Sequence, residues 1–147
     1  TNSDTDNAGY VKSLNDKIVG NTGTLKVSNG NYYCQGRCTG DCMFESTGAA
    51  TITITGGTII GTTQHAISGD GPIIIGIKDS NISSTSPVIR GKQYGVWASG
   101  TLDFYDGVIK GVADPIYGTI TDTEANSTQV TGTETIGSDT YKTLHLE

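Results

Sequence analysis

The sequence predicts an all-β chain wound as a parallel β-helix, and three observations carry that prediction. One phrase is written three times: Thr24-Leu-Lys-Val-Ser-Asn-Gly30, Thr51-Ile-Thr-Ile-Thr-Gly-Gly57 and Thr101-Leu-Asp-Phe-Tyr-Asp-Gly107. Each copy alternates an outward polar residue with an inward apolar one and then turns at glycine. Recurrence about every 23 to 27 residues is the mark of stacked coils. Composition agrees, because 16 Ile and 8 Val stand against 5 Leu and 1 Met. Stiff β-branched side chains suit a pleated surface and disfavour helix. The 21 Gly, with abundant Thr, Ser and Asn, supply turns.

At 147 residues the chain reads as one β-solenoid domain with three parts. Residues 1–23 read as an N-terminal tail and cap. Within them Val11, Leu14 and Ile18 fall at helical spacing, which predicts a short helix covering the open end of the stack. Residues 24–122 are the coils, about four to five of them, each divided into three short strands. The first strand places Leu25, Ile52, Ile75, Leu102 and Ile120 in one inward ladder. Val27, Ile54, Ile77 and Phe104 form a second. A turn follows at Asn29, Gly56, Asp79 and Asp106, residue types that tolerate left-handed backbone or bond their own main chain. The second strand stacks Tyr32, Ile59, Ile89 and Ile109. In the third strand Ile67, Val96 and Ile116 point inward, and Cys42-Met43-Phe44 takes the same place one coil earlier. Residues 123–147 are a closing segment, in which Thr140–Leu146 alternates as a strand of unspecified direction. The general preference for right-handed crossovers between parallel strands sets the expected hand.

Net charge of −6 and a pI near 4.7 exclude nucleic acid as the expected partner, since phosphate binding needs clustered Lys and Arg. No apolar run approaches a membrane span, so no membrane contact is expected from this segment. The chain opens on Thr1 rather than Met. That reads as a mature product or an excised piece, with room upstream for a secretion signal or anchor.

Thr55-Gly-Gly-Thr-Ile-Ile-Gly61, Tyr94-Gly-Val-Trp97 and Phe104-Tyr-Asp-Gly-Val-Ile-Lys-Gly111 together resemble the repeats of bacterial cell-surface β-helix proteins. Those are common in Gram-positive gut bacteria, and some sit behind a pilin-like membrane helix. The resemblance covers roughly residues 49–118 and implies a fold and an extracellular, cell-surface location more than an activity. The cysteine segment and the helix candidate depart from the pattern.

Three places carry candidate chemistry. Cys34, Cys38 and Cys42 lie within nine residues and lack zinc-ribbon spacing. One disulfide plus a spare thiol in an oxidising compartment is the expectation, with any of the three pairings open. The second place is the outer face of the third strand. Phe44, Ser68, Trp97 and Tyr117 read as equivalent positions, as do His65, Tyr94 and Asp114. Phe44, Tyr94, Trp97 and Tyr117 are therefore candidate ligand-binding rings for sugar stacking or a protein contact, weighed against a purely structural aromatic ladder. The third is Asp79, Asp103 and Asp106, near the same turn on neighbouring coils, where carboxylates could hold Ca²⁺. Turn geometry alone also accounts for Asp there. The arrangement resembles calcium-dependent lyases built on parallel β-helices, which would make Arg90 or Lys92 the base. The outward Thr51, Thr53 and Thr55 row is not maintained in adjoining coils, which weighs against ice ordering.

The reading is a non-catalytic extracellular structural or adhesive module of a bacterial surface protein or appendage, a pilus-like filament subunit included. It needs no cofactor. Its partners are further copies of itself or other surface proteins, with glycans as a further class. The alternative is a carbohydrate-binding or polysaccharide-degrading β-helix protein.

Overall fold

Polar–apolar alternation and β-branched side chains put every regular element among the described residues into strand. The computed structural model describes residues 10–13, 19–34 and 42–147. In chain order the strands are β1 (Tyr10–Ser13), β2 (Val19–Asn21), β3 (Thr24–Val27), β4 (Asn31–Cys34), β5 (Cys42–Ser46) and β6 (Thr51–Ile54). There follow β7 (Thr58–Gly61), β8 (His65–Gly69), β9 (Ile73–Ile75), β10 (Val88–Gly91), β11 (Tyr94–Ala98) and β12 (Leu102–Phe104). The last are β13 (Val108–Gly111), β14 (Asp114–Tyr117), β15 (Ile120–Thr123), β16 (Gln129–Ile136) and β17 (Asp139–Leu146).

From β1 to β15 each strand pairs with the strand three places further on, always in parallel. The chain thus rotates through three sheets, which we call A, B and C. Sheet A runs β1-β4-β7-β10-β13-β17-β16, sheet B β2-β5-β8-β11-β14, and sheet C β3-β6-β9-β12-β15.

The inward ladder of sheet A is the one expected: Tyr32, Ile59, Ile89 and Ile109 lie opposite one another, and Leu144 of β17 extends it. In sheet C the pairing is Leu25–Ile52–Ile73–Leu102 and Val27–Ile54–Ile75–Phe104. Most of these side chains are fully buried in one aliphatic core. Each contributes roughly 1.5–3 kcal/mol by leaving water.

Two expectations are corrected here. In β9 the inward residues are Ile73 and Ile75, not Ile75 and Ile77, and Ile77 is 51% exposed. The turn comes at Gly76, whose φ of 89° suits glycine and whose missing Cβ leaves room for the Asp106 main chain. The N-terminal helix is the other correction. Val11 lies in β1, whose backbone pairs with β4 from Tyr10↔Asn31 to Ser13↔Cys34, while Leu14 and Ile18 fall outside the described residues. A strand satisfies the exposed ladder of β4 directly, which a helix could not do. No helix occurs among the described residues.

The corner from sheet A to sheet B is made at Gly61, Gly91 and Gly111. A Cβ there would collide with the main-chain oxygens of His65, Tyr94 and Asp114 respectively. That close approach brings those three residues to the start of their sheet B strands. At the far end the chain leaves the rotation as an antiparallel hairpin, β16–β17, with β17 antiparallel to β13. The closing strand expected over Thr140–Leu146 is present, and its direction is now set.

Candidate functional site

The outward residues of sheet B form two columns. His65, Tyr94 and Asp114 share one register position, to which the Cys42 main chain also belongs, and Glu45, Ser68, Trp97 and Tyr117 share the other. Tyr94, Trp97 and Tyr117 are brought together as expected. Phe44 is not: it pairs with Ile67, is fully buried, and packs edge-on against Tyr32 at 5.2 Å. Glu45 takes the outward place instead. Phe44 therefore belongs to the core and is withdrawn as a ligand-binding residue.

The rings pack against one another. Trp97 and Tyr117 stack with centroids 3.8 Å apart and planes 11° from parallel. His65, which shares the row with Tyr94, lies 4.9 Å from Trp97 and 5.4 Å from Tyr94 and is buried. Tyr94 meets Trp97 and Tyr117 edge-on at 5.6 and 5.7 Å, the T-shaped geometry favoured by ring quadrupoles. Only Tyr117 is left strongly exposed, at 47%. Both the structural and the binding reading keep a part: the lower rings are packing, and the last is accessible.

Beside the start of β14 is a cleft of about 470 Å³, lined by Asp114, Pro115, Thr131, Thr133, Lys142 and Thr143. Lys142 Nζ pairs with Asp114 Oδ1 at 2.9 Å across it. Sequence patterning had no means of finding this cleft, because it depends on how the hairpin closes.

The three candidate calcium ligands do different work. Asp106 is buried and accepts main-chain N–H bonds from Ile77 at 3.0 Å and Ser83 at 2.6 Å, which fixes the loop inserted between β9 and β10. Asp79 is exposed and accepts from Asn81 N, while its own N–H donates to the buried Glu124 carboxylate at 2.7 Å. Asp103 sits half-buried on sheet C opposite Asp122. Among the described residues no group of three or more His, Cys, Asp or Glu is placed to hold a metal ion. The calcium expectation is therefore corrected: these carboxylates organise main chain and a surface network.

That network is built on Asp122. It accepts from Lys78 Nζ at 2.6 Å and from the Tyr105 hydroxyl at 2.8 Å, and both bonds hold its carboxyl below the usual range. Burial, followed by the bond to Asp122, pushes the Tyr105 hydroxyl up to about 12. Burial first and Asp122 second raise the Asp103 carboxyl above its ordinary value.

Arg90 lies 5.5 Å from the Tyr141 ring and Lys92 pairs with Asp139, so both basic candidates are engaged by the closing hairpin. Arg90 stands on sheet A and Lys92 just beyond it, whereas Asp103 stands on sheet C. Cys34 is fully buried at the end of β4, Cys42 opens β5, and Cys38 falls outside the described residues. No disulfide occurs among the described residues.

No family model matches this sequence, and neither a curated protein nor a solved structure matches it. No helix among the described residues is long and apolar enough to cross a membrane.

Proposed function

We propose that this chain is a non-catalytic structural or adhesive module of a bacterial surface protein or appendage, built as a right-handed parallel β-helix. The strand rotation supports five coils, and the hand rests on the strong preference for right-handed crossovers. The observation that carries the reading is the aromatic column of sheet B. A continuous buried hydrophobic core underlies Tyr94, Trp97 and Tyr117, whose rings pack on one another, and Tyr117 is offered to a partner. Preorganised rings lose little side-chain freedom on binding, which suits adhesion. The extracellular, cell-surface setting rests on the likeness of the Thr55–Gly61 and Phe104–Gly111 phrases to surface repeats.

The test is retention of the purified protein on intact Gram-positive cells, compared with Tyr117→Ala. Retention lost by that variant while its melting temperature holds supports the reading. Equal retention by both proteins counts against it.

A carbohydrate-binding module is the second reading, favoured by the exposed Tyr117 ring beside the polar Asp114–Lys142 pair. It expects binding on a glycan array that Tyr117→Ala abolishes.

A further inference from the structure

Trp97 and Tyr117 occupy matched positions on neighbouring strands, and their rings stack almost face to face. Rings stacked in this way point their faces along the line on which strands succeed one another, not outward from the sheet. Trp97 is covered by Tyr117 on one face, packs against His65, and meets Tyr94 edge-on. Because β14 is the last strand of sheet B, no further strand follows to cover the second face of Tyr117.

The main chain beneath that ring is open as well. Ser99 N–H donates to Gly69 O, so Trp97 turns its main-chain groups to β8 and Val96 and Ala98 turn theirs to β14. With Val96 opposite Ile116, Pro115 and Tyr117 face β11. Ile116 then presents its N–H and C=O to the empty side, whereas Asp114, paired with Tyr94 beside a Pro115 that cannot donate, spends its own on β11. Pro115, which lacks an N–H, falls where no donor to the empty side is needed. The hairpin rises over this end as a wall bearing Thr131, Thr133 and Lys142, with the 470 Å³ cleft at its foot.

We infer that the end of sheet B is a strand-accepting site. An extended peptide lies in parallel on β14, bonds the main chain of Ile116, and lays an aromatic side chain over Tyr117. The occupant is a short segment rather than the end of a second copy. Sheet A stands two strands taller than sheet B at this end, about 10 Å at a spacing of roughly 4.8 Å. A second copy's β1 would meet β16 before its β2 reached β14. This inference gives the adhesive reading a contact surface and a kind of partner.

The probe is a synthetic peptide copying Gln93–Gly100, the strand that already stacks Trp97 above Ser68 on β8. Nuclear magnetic resonance of the whole protein should show Tyr117 ring resonances shifted by ring current. The amide of Ile116 should exchange about tenfold more slowly. Replacing the peptide's tryptophan by alanine, or the protein's Tyr117→Ala, should weaken binding about tenfold or more. Methylating the peptide nitrogen that corresponds to Trp97 should abolish binding, since that amide donates to Ile116 O. Unchanged amide exchange, or equal binding of the methylated peptide to the wild-type protein, overturns the inference. So does a soluble polysaccharide that shifts Tyr117 when the peptide does not, which would assign the ring to sugar. Peptide binding that survives alongside failed cell retention would sink the adhesive reading and leave this site standing.

Discussion

The rings of Trp97 and Tyr117 lie 3.8 Å apart on neighbouring strands, with planes 11° from parallel. One ring is therefore part of the packing, and the other ends the column.

That division predicts unequal costs. Trp97→Ala removes a ring covered by Tyr117 and packed against His65, and should lower stability by about 2 kcal/mol. Tyr117→Ala removes the terminal, half-exposed ring and should cost under about 1 kcal/mol. Chemical denaturation of the two variants against wild type checks the order. Equal losses would mean that the column is structural throughout.

Asp106 holds the loop between β9 and β10 through Ile77 N and Ser83 N. Asp106→Ala leaves both donors without their carboxylate in a buried setting, at a cost of about 2–3 kcal/mol. Limited proteolysis should then cut within residues 77–86, where wild type resists. An uncut loop would refute this role.

Asp103 and Asp122 lie opposite one another on β12 and β15. Burial and then Asp122 raise the folded Asp103 pKa, so the folded protein binds that proton more tightly than the unfolded chain does. Asp103 therefore detracts from stability above the carboxylate range, and the deficit fades as pH falls. Asp122 has the opposite sign: its pKa is lowered by Lys78 and then Tyr105, so its contribution is present at neutral pH and lost in acid. Asp103→Asn should thus raise stability near neutral pH by about 0.5 kcal/mol. Thermal unfolding at neutral and acid pH should show that gain shrink. A gain independent of pH would point to packing instead.

Ser46 is 2% exposed, and its hydroxyl has no hydrogen-bond partner among the described residues. Ser46→Ala removes an uncompensated buried polar group and should stabilise by up to about 1 kcal/mol. A clear loss of stability would show that the hydroxyl is bonded.

Much of the fold was legible because inward letters and corner glycines recur together. Ile59, Ile89 and Ile109 are each followed two residues later by Gly61, Gly91 and Gly111, which aligns sheet A unambiguously. The slip in β9 has a physical cause. Ile73, Ile75 and Ile77 share one parity, so a two-residue shift preserves the alternation, and only the turn at Gly76 decides between them. Met43 and Phe44 are both apolar and both buried, so alternation could not say which faced out. The N-terminal strand was hidden by helical spacing that pairing with β4 overrode. For the site, the sequence brought Tyr94, Trp97 and Tyr117 to one face, but ring orientation depends on neighbours stacking. The cleft depends on a hairpin whose direction alternation does not encode.

The most direct test of the account is cell retention of Tyr117→Ala, normalised to folded protein. The account predicts a loss of about tenfold or more, with a melting temperature within about 4 °C of wild type. Wild-type retention by that variant would contradict the claim that the column meets its partner through its last ring.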